Sequence, residues 1–251
     1  TCAFVSAFSP VRVRHQARAV LPLTDFQEHR RTPMVIMLLL AANLLVFAWE
    51  VIVGLQSEAE LHRLISQGAL VPARFTSGWR QGDVWLDLLT ATFLHGGLAH
   101  LLGNLWFLWV FGRSVETRVG SPVFLLLYTI AAVGAALLQV AVDPRSTVPM
   151  IGASGAISGV LGAYFVLFRS GWVLTLVPWI VPLIPVPAVI FLALWFLLQM
   201  GNGIGALLDD TAHPGGGIAW WAHAGGFVAG VVVALLLPRA RGRRGRRARR
   251  R

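Results

Sequence analysis

Six stretches of this chain are apolar for about the length that a lipid bilayer demands, and they constrain its fold more than any other feature. They run over 34–54, 93–112, 121–142, 150–168, 186–207 and 219–238. Each approaches the ~20 residues that a helix needs to cross the hydrocarbon core. Only 13% of the residues are charged, about half the ~25% usual in a soluble domain. The chain therefore reads as an all-α polytopic membrane protein, a bundle of six transmembrane helices. The proline-rich run "VPWIVPLIPVP" at 177–187 is apolar but breaks helix geometry repeatedly, so it is expected to connect into the fifth span.

Six crossings place both termini on one side, and the arginines say which. Arg12, Arg14, Arg18, Arg30 and Arg31 precede span one; Arg113 and Arg118 lie between spans two and three; Arg169 follows span four; nine more close the chain in "PRARGRRGRRARRR". The opposite face holds Arg63, Arg74, Arg80 and Arg145, together with Glu58, Glu60, Asp83, Asp87, Asp143, Asp209 and Asp210. The positive-inside rule then puts both termini in the cytoplasm. Residues 1–33 are expected to form a basic N-terminal segment, 34–238 the six-span domain and 239–251 an arginine-rich tail.

The net charge of +10 does not argue for nucleic acid. An arginine tail immediately after a span suits anionic lipid headgroups and topology anchoring. Cys2 is the only cysteine, which excludes an intramolecular disulfide and cysteine-ligated zinc. Residues 1–33 lack the apolar core of a cleaved signal, and span one is expected to serve as an uncleaved one. No cofactor is called for.

Polar groups inside the spans are the functional suspects, because burying them in lipid is costly. Glu50, near the outer end of span one, is expected to reach the interface. Span two carries His95, His100 and Asn104 in "FLHGGLAHLLGNLWFLWVFG"; span four carries Ser154 and Ser158 in "MIGASGAISGVLGA"; span six carries His223 in "WWAHAGGFVAG". Small residues at four-residue spacing, such as Gly155 and Gly159, could mean helix packing alone. Depth favours chemistry: at ~1.5 Å per residue, His100, Asn104, Ser154 and His223 fall in one layer roughly 5–15 Å below the outer surface. His223, Gly226 and Gly230 share one helical face, so span six is expected to pack on the glycines of span four and bring His223 to Ser154.

A serine hydroxyl needs a base to become a nucleophile. The chain has no lysine and no aspartate within a span, which leaves a Ser154–His223 dyad, with the histidine as general base and then acid. Asn104, His100 and the Ser154 backbone N–H are candidate donors to the oxyanion. The H-E-x-x-H of a zinc protease is absent, and so is a pair of intramembrane aspartates. His95 and His100, five apart on a helix, would point about 140° apart and make a poor metal pair. Trp49, Trp106, Trp109, Trp220 and Trp221 read as interfacial belt or core. Glu116, flanked by Arg113 and Arg118, reads as a structural tie on the inner side.

With these residues in place the chain resembles the rhomboid family of intramembrane serine proteases. The resemblance rests on "HGGLAHLLGN" (His95, His100, Asn104), "GASGAISG" around Ser154 and "AHAGGFVAG" with His223, Gly226 and Gly230, in family order, and covers roughly 34–238. It implies a six-helix rhomboid-like bundle, a Ser154–His223 dyad, and an oxyanion site from His100, Asn104 and the Ser154 amide. It further implies proteolysis of single-pass transmembrane substrates in or near the membrane. His95 matches a family histidine that tends to be structural.

The chain departs from the family at two places. An aromatic residue often follows the nucleophile by four positions, where this chain has Ser158. The usual Trp-Arg pair before the first histidine is replaced by Leu86–Asp87, with Trp79–Arg80 earlier. The loops at 143–149 and 208–218 are expected to roof a hydrated cavity opening outward. Gly201, Gly203, Gly205 and "HPGGG" at 213–217 are expected to loosen the end of span five into a lid or lateral gate. The expected location is a bacterial cytoplasmic membrane, with the site facing the outer side. An inactive relative that binds membrane clients is the alternative, although such relatives typically lose the serine or the histidine. A transporter is a third reading, favoured only by the span count.

Overall fold

The computed structural model describes residues 21–27, 32–80, 82–177, 181–208 and 219–238. The terminal arginines at 12–18, 30–31 and 239–251, with Asp209, Asp210 and the 213–217 glycines, lie outside the described residues. Most of the described residues (73%) are helical. The elements run β1 (Leu21–Asp25), α1 (Met34–Gln56), α2 (Glu58–Gly68), α3 (Pro72–Gly78), α4 (Asp83–Thr90) and α5 (Leu98–Phe107). A π-helical turn (Leu108–Gly112) leads into α6 (Arg113–Val119), α7 (Ser121–Val142) and α8 (Ser154–Leu167). Then come β2 (Trp172–Val177), β3 (Val181–Pro187), α9 (Ala188–Leu208) and α10 (Trp220–Leu236).

Each expected apolar stretch carries a helix, but the helices differ in reach. Met34–Gln56, Ser121–Val142 and Ala188–Ala206 are long and apolar enough to cross a membrane; Ser154–Leu167 and Trp220–Leu236 are shorter. The helix in the second stretch begins only at Leu98, after Gly97 at φ 151°. It then runs through the π turn into α6 with helical backbone angles at both joints. Leu38, Leu45 and Ile52 of α1 and Leu194, Leu197 and Leu198 of α9 are exposed, an arrangement suited to lipid rather than water.

The all-α expectation needs one correction. The described part of the proline-rich run, Val177 and Val181–Pro187, is strand: β1, β2 and β3 form an antiparallel sheet in that order, with Leu21 opposite Leu176 and Trp172 opposite Pro187. Its prolines lie on the edge strands (Pro22 in β1; Pro182, Pro185 and Pro187 in β3), where a missing N–H costs no central ladder bond. The sheet is fastened to the helices through Asp25, which accepts from Ser114 Oγ, from Tyr164 OH at 3.1 Å, and pairs with Arg113 at 3.6 Å.

Helix α10 lies against both α7 and α8, and its glycines set the distance. A β-carbon at Gly226 would overlap the Gly155 carbonyl, and one at Gly230 the Gly159 carbonyl. Small residues permit this approach, and the contact of backbones supplies the dispersion and Cα–H···O attraction that holds helices together in lipid. The expected packing of span six on span four is thus present.

Between α1 and α5, helices α2 to α4 fold as a loop centred on Arg74. Its guanidinium donates to Ser66 O at 2.6 Å, to Ala69 O and to Asp87 Oδ2 at 2.8 Å. Asp87 therefore has a structural partner within this loop. The loop is tied to the chain leading into α8 by the Leu70–Met150 bridge and by Gly152 N–H donating to Ala91 O at 2.8 Å. At the other end, Glu116 accepts from the Val35 and Ile36 amides, both at 2.9 Å, and from Ser121 Oγ at 2.6 Å. It caps the first turn of α1, where amide groups lack helical partners and negative charge is favoured.

Candidate active site

Ser154 is the first residue of α8, and His223 sits in the first turn of α10. The glycine contacts between these helices bring the two side chains together, with His223 Nε2 2.8 Å from Ser154 Oγ. Both residues are half-buried. The Ser154 position also leaves its backbone N–H among the amides that the helix does not use, directed out of the N-terminus. Ala222 N–H donates to Gln139 Oε1 of α7 at 3.2 Å, which fixes the start of α10 beside the histidine.

Asn104 and His100 lie against Gly152, two residues before Ser154. Gly152 has φ +110°, and a β-carbon there would come within 2.6–2.7 Å of the His100 ring and 3.4 Å of Asn104 Nδ2. The glycine thus combines a left-handed conformation with a close approach that no side chain would allow. Asn104 is 7% exposed, and its Nδ2 lies 3.0 Å from His95 Nε2. His95 Nδ1 lies 3.0 Å from Phe93 O. With Nδ1–H donating to that carbonyl, Nε2 accepts from the asparagine, and one amide proton remains free to point elsewhere.

His95 precedes α5, so the helical-wheel separation from His100 does not apply. The two rings meet edge to face with centroids 5.2 Å apart. Glu50 does not reach the interface: it is 3% exposed and accepts the His95 backbone N–H at 3.0 and 3.3 Å. It holds the turn before α5, and with it His95. Ser158 does not reach His223 but donates to Ser154 O at 2.7 Å, within its own helix.

The aromatic surroundings of His223 come from other helices. Trp195 of α9 lies with its ring centroid 6.0 Å from that of the imidazole, and Trp220 meets it edge-on at 6.3 Å. A residue that the sequence did not single out completes the shell: Gln199 Oε1 of α9 lies 2.7 Å from His223 Nδ1. Its signal was an amide within an otherwise apolar span, a feature that helix bundles often tolerate without function. Helix α9 stays regular through Gly201, Gly203 and Gly205 to Leu208, and Gly203 packs on Trp220 and Trp221.

A small cavity of about 50 Å³ opens beside Ser154, lined by Thr92, Ala135, Ala136, Ile151 and Gly152 among others. The arrangement joins a hydroxyl, an imidazole within hydrogen-bond reach, a helix N-terminus and an amide donor, the parts that acyl transfer uses.

The fold is an apolar helical bundle in which a serine and a histidine from two helices meet. Comparison with known proteins gives the family. The Rhomboid domain family matches residues 81–240. The chain is 36% identical over 160 residues to Rhomboid protease GluP of Bacillus subtilis, covering 64% of this chain and 28% of that protein. It is 27% identical over 226 residues to the mitochondrial Rhomboid protein 1 of Saccharomyces cerevisiae, covering 88% and 58%. Over 88 residues it is 43% identical to the chloroplastic Rhomboid-like protein 11 of Arabidopsis thaliana, covering 35% and 31%. The chain thus spans less than two thirds of the length of these relatives, which are both bacterial and organellar. It belongs to the rhomboid family.

Proposed function

We propose that this protein is an intramembrane serine endopeptidase that cuts single-pass transmembrane substrates in or near the bilayer. The observation that carries the reading is the 2.8 Å separation of Ser154 Oγ and His223 Nε2. In the proposed mechanism His223 Nε2 takes the hydroxyl proton as Ser154 Oγ attacks the scissile carbonyl. The tetrahedral oxyanion is met by the Ser154 backbone N–H, the free amide proton of Asn104 and the His100 ring. His223 then returns its proton to the leaving amine, and water enters the same cycle to release the acyl group. Family membership and the protease-named relative support the reaction class.

The proposed topology is six crossings, by α1, the α5–α6 run, α7, α8, α9 and α10, with 34–238 as the protease domain. The basic segments at 1–33 and 239–251 lie in the cytoplasm against anionic lipid, and the site opens to the opposite side. The two short spans, α8 and α10, begin at the depth of the site, so the missing turns are where water reaches Ser154. In this reading α9 is the lateral gate, which a cross-link from α9 to α5 that abolishes cleavage would support and one that leaves it intact would contradict.

Covalent labelling tests the site without requiring the natural substrate. A fluorophosphonate probe is expected to label the wild-type protein at Ser154, to fail with Ser154→Ala and His223→Ala, and to be indifferent to chelators. Unlabelled, folded wild-type protein would favour the alternative of an inactive client-binding relative.

A further inference from the structure

We propose that Gln199 is the positioning residue that sets the tautomer of His223, a role resting on the Ser154–His223 reading above. A neutral imidazole carries one N–H, and a carboxamide oxygen can only accept. With Gln199 Oε1 2.7 Å from Nδ1, the proton is on Nδ1 and the Nε2 lone pair faces Ser154 Oγ–H, 2.8 Å away. The other tautomer would set an N–H against the hydroxyl and leave no base. Gln199 is 9% exposed, so water competes weakly for its amide.

This hydrogen bond does more in the transition state than before it. When the Ser154 proton moves to Nε2, the ring becomes an imidazolium and the Nδ1–H···Oε1 bond becomes charge-assisted, shorter and stronger. The Nδ1 proton stays where it is; only the Oγ proton is transferred. An interaction that strengthens as the reaction proceeds raises kcat rather than substrate affinity. No buried carboxylate touches the ring among the described residues, and Ser158 is turned into its own helix, so the amide is the group placed to do this.

The position of Gln199 has a conformational consequence. It lies on α9, one turn beyond Trp195, which also flanks the imidazole, whereas His223 lies on α10. A hydrogen bond of this kind is lost beyond about 3.5 Å, so a shift of α9 by about 1 Å away from α10 unseats it. The base is fully set only when α9 is docked.

The test uses the full chain in detergent with a single-pass transmembrane substrate. Gln199→Met, similar in size but without an acceptor, is expected to lower kcat about 10- to 100-fold with KM unchanged, and Gln199→Glu, which restores an acceptor oxygen, to recover most of it. Nitrogen-15 NMR of histidine-labelled wild-type protein is expected to show the His223 proton on Nδ1, the resonance being identified by its loss in His223→Ala. Normal kcat in Gln199→Met, equal impairment of the Met and Glu variants, or a His223 proton on Nε2 would overturn the proposal. The NMR measurement decides the matter even if Gln199→Met does not fold. Cleavage by Ser154→Ala would instead bring down the dyad reading itself; an inactive Ser154→Ala beside a normal Gln199→Met removes only the role of Gln199.

Discussion

Gly226 of α10 packs so closely on the carbonyl of Gly155 in α8 that a β-carbon on residue 226 would overlap it. This contact lies one residue from Ser154 and three from His223, so the approach of the two backbones and the reach of the two side chains are one geometric fact. Gly226→Val must push the helices apart. It is expected to cost about 1–3 kcal/mol of stability, as overpacked interiors do, and to abolish cleavage by separating the dyad. Gly201→Ala is the control: a β-carbon there meets nothing within 4 Å, and removing a helical glycine is worth about 0.4–1 kcal/mol in the opposite direction. Thermal unfolding and cleavage rates of the two variants check both statements.

Gly152→Ala tests the oxyanion side. The added methyl group has to displace the His100 ring and crowd the Asn104 amide, and it also forces a left-handed backbone on a residue that avoids it. Asn104→Ala removes the donor directly. Both are expected to lower kcat by about 10²–10³-fold, the usual cost of losing one such donor, while leaving KM close to wild type. A change confined to KM would assign these residues to substrate binding.

The six apolar stretches and the His223–Gly226–Gly230 stripe placed the helices and paired α8 with α10, because helical periodicity maps directly onto faces. The sheet is not legible in the sequence: prolines in 177–187 exclude a helix, but only the pairing of β2 with both neighbours shows that Pro182, Pro185 and Pro187 sit on an edge strand. The contact of Gln199 with His223, and that of Glu50 with the His95 amide, are not legible in the sequence for a shared reason. Each acts across a long sequence separation, on His223 and on the His95 amide, and neither contact leaves a local pattern. His95 lies outside the helix that its apolar stretch implies, because Gly96 and Gly97 delay the start of α5.

Glu116 gives a prediction remote from the chemistry. It accepts two α1 amides and the Ser121 hydroxyl, so Glu116→Ala leaves buried donors without partners at a cost of about 1–3 kcal/mol. The expected result is a lower midpoint of thermal unfolding, with cleavage at low temperature unchanged. Unchanged stability would mean that water takes over the capping of α1.

The Ser154–His223 dyad is tested most directly by cleavage of a single-pass transmembrane substrate by the purified wild-type protein beside Ser154→Ala and His223→Ala. The wild type is expected to cut, and each substitution to lower kcat by about four orders of magnitude or more, as losses of a nucleophile or its base do. Cleavage that survives Ser154→Ala would contradict the dyad, and would leave Ser154 as a small residue that lets two helices meet.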